Sequence, residues 1–224
     1  MPGRIDDGGR VRVRTARGRR ISSTRWLDRQ LNDPFVKQAA RDGYRSRSAY
    51  KLLDLNDRFQ FLKPGATVID LGSTPGGWSQ VAASLVGPLT AGPSGGRVIA
   101  CDLNDMEPIA GVDFFRLDMH NSDAPARLIA SCGGLADAVL SDMAAPSTGH
   151  AATDHLRIIG LCERALDLAE SCLDTGGAFV AKVLEGGAGN DLQAHIRRVF
   201  RQVRTVKPAA SRKESSEKYL VATG

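Results

Sequence analysis

From Ala66 onward the chain alternates short apolar runs with helix-length segments, and no other feature limits its fold so tightly. The runs are TVIDLG (67–72), RVIACDL (97–103), VDFFRLD (112–118), ADAVLSD (136–142) and GAFVAKVL (177–184). Helical segments at 77–86, 122–132, 154–173 and 190–200 separate most of them, and two further strands follow near 202–206 and 218–223. Apolar runs without polar alternation, spaced by helices, predict an α/β fold: a mostly parallel sheet of seven strands covered on both faces. Upstream, from Ser23 to Phe61, apolar residues recur at helical spacing, punctuated by Pro34 and Gly43.

Charge divides the chain into three. Residues 1–51 hold 14 Lys+Arg against 5 Asp+Glu, residues 52–196 hold 8 against 18, and residues 197–224 hold 8 against 2. Basic ends on an acidic middle predict a polyanionic partner, with nucleic acid the commonest. Residues 1–21 are rich in Arg and Gly, lack apolar periodicity, and read as a disordered basic arm. Residues 22–224 read as one domain, and 87–96 as a flexible loop. Cys101, Cys132, Cys162 and Cys172 form no C-x-x-C pair and read as reduced core thiols. The four histidines show no zinc spacing, so no metal is expected. No apolar run is long enough for a membrane span, and without an apolar h-region in residues 1–25 a secretory signal is not expected. An organellar leader is compatible with the Arg content, although Asp6 and Asp7 oppose it. A cytoplasmic monomer is the expectation.

The sharpest local signal is Val68-Ile69-Asp70-Leu71-Gly72-Ser73-Thr74-Pro75-Gly76-Gly77-Trp78-Ser79, a strand entering a Gly-rich turn that opens a helix. Such turns sit at the carboxyl ends of strands, where open α/β sheets bind ligands. The spacing is not G-x-G-x-x-G, and Asp70 would set a negative charge where a pyrophosphate would lie. Asp102, Asp118 and Asp142 end the next three strands. A single acid there is more often a helix cap, but four in succession outline one ligand edge. An adenosyl group with an amino-acid tail suits that edge better than a nicotinamide dinucleotide. Lys182 lies near the end of the fifth run; it either snorkels from the sheet edge or faces the ligand crevice close to Asp142, which would orient it.

Residues 22–224 resemble the FtsJ-type RNA 2′-O-ribose methyltransferases almost end to end. The matching stretches include Ser23-Thr24-Arg25-Trp26-Leu27, Arg45-Ser46-Arg47-Ser48-Ala49-Tyr50-Lys51-Leu52, Pro75-Gly76-Gly77-Trp78-Ser79-Gln80, Ser141-Asp142-Met143-Ala144 and Phe179-Val180-Ala181-Lys182-Val183, in the family's order. The resemblance implies a Rossmann-like class I methyltransferase fold with S-adenosyl-L-methionine as methyl donor. It implies a catalytic tetrad of Lys51, Asp142, Lys182 and Glu217, with Glu214 a competitor at the wrong distance from the last strand. Cofactor contacts carry over to Gly76, Trp78, Asp102, Asp118 and Asp142. The implied substrate is a ribose 2′-hydroxyl of ribosomal RNA or of the large ribosomal subunit, a uridine of the A loop. Departures fall at Ser73-Thr74, at Ala145-Pro146-Ser147 and in Leu184-Glu185-Gly186-Gly187, and they touch RNA contacts more than the chemistry.

Phosphate contacts are expected from Arg25, Arg41, Arg45, Arg47, Arg201, Arg204, Arg212 and Lys213 as a group, and Tyr50 either stacks on a base or belongs to the core. Two other readings compete. A nicotinamide-dependent oxidoreductase lacks its glycine motif here, and a non-catalytic RNA-binding assembly factor would not need the full tetrad.

Overall fold

The computed structural model describes residues 3–5, 11–13, 21–87, 95–186 and 189–224. Most of the 87–96 loop and much of the basic arm lie outside these residues, as do the side chains of Arg25 and Trp26. Within the arm, β1 (Gly3–Ile5) and β2 (Val11–Val13) pair antiparallel, where the composition suggested no regular structure. The pair is tied to the domain: the Val11 amide donates to Asn32 Oδ1 at 2.8 Å, and Asn32 Nδ2 donates to the Val11 carbonyl at 2.9 Å.

Three helices precede the sheet: α1 (Ile21–Asn32), α2 (Pro34–Asp42) and α3 (Ala49–Phe59). Pro34 suits the first turn of α2 because its missing N–H would be unpaired there anyway. Asp33 caps that turn by accepting from the Phe35 amide at 3.0 Å. Gly43 closes the helix in the left-handed region, at φ 79°.

The remaining elements are β3 (Thr67–Leu71), α4 (Gly77–Val86), β4 (Arg97–Asp102), β5 (Val112–Arg116), α5 (Ala124–Cys132), β6 (Ala136–Ser141), α6 (Ala151–Cys172), β7 (Leu173–Leu184), α7 (Asn190–Val199), β8 (Gln202–Val206) and β9 (Glu217–Thr223). Seven strands form one sheet in the order β5-β4-β3-β6-β7-β9-β8, parallel except where β9 pairs with β7 and β8. This is the seven-stranded, mostly parallel sheet that the alternating pattern predicts.

Strand side chains alternate between faces, so each apolar run feeds two cores. Ile69, Leu71, Ile99, Val139, Phe179 and Ala181 pack with α5, α6 and α7 residues such as Leu128, Leu166 and Ile196. Val68, Val98, Ala138, Leu140, Ala178 and Val180 pack with Leu52 and Leu55 of α3 and Trp78 and Val81 of α4. All four cysteines are free and buried. Among the described residues, no helix is long and apolar enough to cross a membrane.

The topology places the site. The chain runs outward through β3, β4 and β5, then returns to lay β6 against the other side of β3. Ligands in open α/β sheets bind outside the strand carboxyl ends at such a reversal. Here it brings Gly72 beside Asp142, whose amide donates to the Leu71 carbonyl at 3.0 Å.

Candidate active site

Period-two alternation puts Lys182 on the same face as Ala178 and Val180, toward α3 and α4. Antiparallel pairing sets Tyr219 opposite Lys182 and Glu217 opposite Leu184. Lys51 projects from α3 onto that face, and Asp142 follows the end of β6. The four residues expected as a tetrad therefore meet at one point.

Their contacts form a closed ring. Lys182 Nζ lies 2.7 Å from Asp142 Oδ1 and 3.8 Å from Glu217 Oε1, and donates to the Asp142 carbonyl at 2.8 Å. Lys51 Nζ lies 3.0 Å from Glu217 Oε2 and donates to the Tyr219 hydroxyl at 3.1 Å. That hydroxyl donates to Asp142 Oδ1 at 2.6 Å. Lys182 is only 7 % exposed, so it does not snorkel from the sheet edge. The ring holds two cations and two anions, which lets four ionisable groups share a largely buried space.

Burial alone would raise the Asp142 carboxyl, but Lys182, Lys51 and two hydrogen bonds outweigh it and hold the group below the usual carboxylate range. Glu217 is likewise lowered, because Lys51 and Lys182 overcome the effect of its burial. The Tyr219 hydroxyl is pushed well above its ordinary value, first by burial and then by the charges of Asp142 and Glu217. Tyr219 is thus a neutral donor inside the ring. The sequence reading did not single it out, although its place two residues after Glu217 on a strand puts both on one face.

A cavity of about 260 Å³ opens beside the ring, lined by Gly72, Asp102, Asp118, Met119, Asp142 and Met143 among others. Three of the four strand-end acids therefore line one cavity. Asp102 Oδ2 accepts from the Thr74 amide at 3.0 Å, and Oδ1 from the amide and side chain of Asn104 at 2.8 and 3.1 Å. A carboxylate offers about four acceptor sites, so Asp102 keeps capacity for a ligand hydroxyl. Asp118 is half-buried, and hydrogen bonds from the His120 amide and ring hold its carboxyl below the ordinary value. Gly72 has φ 74°, and a Cβ there would lie 2.8 Å from the Met143 backbone. Only glycine lets the β3 and β6 ends approach so closely.

The fourth acid does not join this edge. Asp70 faces α4, is fully buried, and accepts from the Ser79 hydroxyl at 2.6 Å, while its Oδ1 has no partner. Burial pushes its carboxyl up to about 7, so the negative charge expected at the turn is lessened near neutrality. Strand alternation explains the difference: Asp70 shares a face with Val68. Two further expected contacts also lie off the cavity lining. Trp78 is buried, donates from Nε1 to the Ser48 carbonyl at 2.9 Å, and packs its ring 5.4 Å from that of Tyr219. A Cβ on Gly76 would meet Ile109 at 2.6 Å. Both positions shape the turn and the floor of the ring in this structure.

On the other side of the ring lies a hollow of about 330 Å³ lined by Arg29, Arg47, Lys51, Arg212 and Glu217 among others. The expected phosphate-binding arginines divide here. Arg47 and Arg212 both bond Asp33 Oδ2, Arg212 through Nε at 3.0 Å, and Arg47 also donates to the Ala210 carbonyl. Arg47 Nε and Arg212 Nη2 are buried without partners. Arg45 is committed elsewhere, to the Glu107 and Pro108 carbonyls at 2.6 and 2.8 Å. Arg201 precedes β8 at the end that pairs with Thr223, at the far end of the sheet from the ring. Tyr50 bonds Asp42 Oδ2 at 2.6 Å and packs on Phe35 and Tyr44. That arrangement is a small cluster of three aromatic rings beside α2.

Comparison with known proteins agrees with this geometry. Residues 44–224 match the FtsJ-like methyltransferase family. The Ribosomal RNA large subunit methyltransferase E of Jannaschia sp. (strain CCS1) is 55% identical over 96% of this chain and 92% of that protein. Its counterpart in Nitrobacter hamburgensis is 57% identical over 96% of this chain and 93% of that protein. A crystal structure assigned as a ribosomal RNA methyltransferase of Plasmodium falciparum superposes with a TM-score of 0.68 at 30% identity, covering 81% of this chain and 98% of that one. The chain belongs to the FtsJ-like methyltransferase family.

Proposed function

We propose that this protein transfers a methyl group from S-adenosylmethionine to a ribose 2′-hydroxyl of large-subunit ribosomal RNA, a uridine of the A loop. One observation carries the reading: Lys182 is pinned by two acceptors of Asp142, between an acid-lined cavity and an arginine-lined hollow.

The residues present suit the donor. Asp102 and Asp118 retain acceptor capacity for hydroxyl and amino groups, and the glycine at 72 leaves room beside Asp142. When bound, S-adenosylmethionine supplies a methyl group on a sulfonium, an electrophile that needs no further activation. A ribose hydroxyl is a poor nucleophile, so the protein's work is to orient it and take its proton.

Lys182 does that work. Its Nζ is held between Asp142 Oδ1 and the Asp142 carbonyl. As an amine Lys182 would take the 2′-hydroxyl proton at Nζ; as an ammonium it would steer the hydroxyl lone pair toward the donor's methyl group, whose bond to sulfur breaks as the O–C bond forms. Asp142 fixes that direction. Tyr219 and Lys51 hold Asp142 and Glu217 in turn, so the ring cannot rotate away. Alignment of the reactants contributes roughly 7–11 kcal/mol, and a positioned base a further 10²–10⁴-fold or so. Lys51, Arg47 and Arg212 meet the polyanionic backbone with the ionic-strength dependence of phosphate contacts.

The test is methyl transfer to large ribosomal subunits from cells lacking the protein, with modified sites mapped by resistance to alkaline hydrolysis. One protected ribose linkage in the large-subunit RNA is the expected result. Lys182→Ala should lose at least about 10²-fold in rate while binding S-adenosylmethionine as the wild type does. Transfer to a base, or retained turnover by Lys182→Ala, would overturn the reading.

A further inference from the structure

A second hollow, of about 590 Å³, opens at the same end of the sheet on the side away from the arginines. Its lining includes Ser147, His155, Leu184, Glu185, Gly186 and Ser216. Leu184 lies two residues beyond Lys182 on β7, and Ser216 immediately precedes Glu217 on β9. Two strand residues span about 7 Å, so the hollow begins within one nucleoside of the ring. Its volume falls in the range of roughly 300–1,000 Å³ typical of small-molecule sites.

The far wall is built firmly. Asp154 accepts from the Ser147 hydroxyl at 2.6 Å and from the Thr148 amide and hydroxyl at 2.7 Å each, which fixes the chain between Asp142 and α6. His155 follows directly. A Cβ on Gly186 would lie 3.5 Å from its Cε1, so the missing side chain leaves space against the imidazole.

Charge separates the two hollows that flank the ring. The one beside α1 and α3 is lined by Arg29, Arg47, Lys51 and Arg212 against Glu214 and Glu217, an excess of cations. The lining of the larger one contains no Lys or Arg among the described residues. It does contain Asp154 and Glu185, the latter paired with Lys218 at 3.1 Å. A phosphate is favoured in the first over the second. A neutral, flat, hydrogen-bonding group is suited to the second.

We propose that this hollow receives the nucleobase of the nucleotide whose ribose is methylated, with His155 against its face, while the sugar-phosphate backbone follows the arginine-lined hollow. The inference rests on the ribose-methylating role above. Base-specific reading of RNA uses unstacked bases laid on aromatic rings, histidine included. The arrangement would make His155 a specificity-determining contact outside the tetrad.

The direct experiment uses the full-length protein and an RNA carrying 4-thiouracil at the methylated position, irradiated, digested and sequenced by mass spectrometry. The cross-link should fall in the peptides holding Ser147–His155, Leu184–Gly186 or Ser216. A cross-link to peptides holding Arg29, Arg47 or Arg212 overturns the proposal. As a second measure, His155→Ala should raise KM for RNA about tenfold, within what loss of one base–aromatic stack does, and His155→Phe should restore it. Both variants should keep wild-type cofactor affinity. Unchanged KM in His155→Ala sinks the base site alone. A wild-type protein that methylates no ribose sinks this proposal together with the reading beneath it.

Discussion

The Tyr219 hydroxyl donates to Asp142 Oδ1 at 2.6 Å, on the same oxygen that Lys182 Nζ approaches at 2.7 Å. Asp142 thus shares one oxygen between a neutral donor and the lysine it orients, and Lys51 supports the tyrosine from behind at 3.1 Å. Tyr219→Phe keeps the ring packed against Trp78 but removes the hydroxyl. We expect a stability loss of about 1–3 kcal/mol, the usual cost of stranding buried polar partners, read by denaturant unfolding. The rate should fall about tenfold or more as Lys182 loses its fixed direction, with cofactor affinity unchanged. A wild-type rate in Tyr219→Phe would show that the hydroxyl does not position Asp142.

Asp33 joins three elements: it caps α2 and bonds both Arg47 and Arg212. Asp33→Asn keeps an effective cap but removes the charge between two guanidinium groups that are largely buried. Breaking a buried pair in this way costs about 3 kcal/mol, and the melting temperature should drop on the order of 10 °C. Calorimetry of Asp33→Asn beside Asp33→Ala separates charge from cap. Equal melting temperatures for Asp33→Asn and the wild type would mean that the arginines need no counter-charge.

Asp70 predicts an unusual pH dependence. Burial raises its folded-state value from 3.8 to about 7. Between those values the native state binds more protons than the unfolded chain does, so this group's contribution to stability falls as pH rises. It is fully present below about 4 and lost by about 7 to 8. Asp70→Asn retains an acceptor for Ser79 and removes the titration. The melting temperature of Asp70→Asn relative to wild type should therefore climb from pH 4 to pH 8. A difference that stays constant over this range would remove Asp70 from the linkage.

Gly72→Ala tests the close approach at the topological reversal. A Cβ would meet the Met143 backbone at 2.8 Å in a conformation that L-residues avoid, at φ 74°. Left-handed backbone alone costs about 1–2 kcal/mol, and Met143 must also shift beside Asp142. Isothermal titration should show S-adenosylmethionine bound about tenfold more weakly, the equivalent of about 1.4 kcal/mol. Wild-type affinity would mean that the cavity tolerates the shift.

The central strands and their flanking helices were readable because burial on both faces leaves those strands without polar alternation. VIDL, VIAC and AVL carry that signal in the sequence itself. Lys51, Asp142, Lys182 and Glu217 could be named from resemblance to a family, and spacing along the chain could not have brought them together. Lys51 and Glu217 are 166 residues apart, joined by the folding of α3 over β7 and β9. The arginines show the opposite limit. Arg45, Arg47, Arg201 and Arg212 are alike as letters, yet one bonds loop carbonyls, two share Asp33, and one sits at the far end of the sheet.

What the sequence by itself determined is the periodic pattern, and with it the sheet, the two cores and the row of acids at the strand ends, because hydrophobic burial acts on local alternation. The tertiary structure alone decided which acid turns to the cavity and which is buried beneath α4, that Tyr219 closes the ring, and that two hollows of different charge flank it. Those outcomes depend on strand parity and on contacts between distant segments, and neither is written at any single position in the chain.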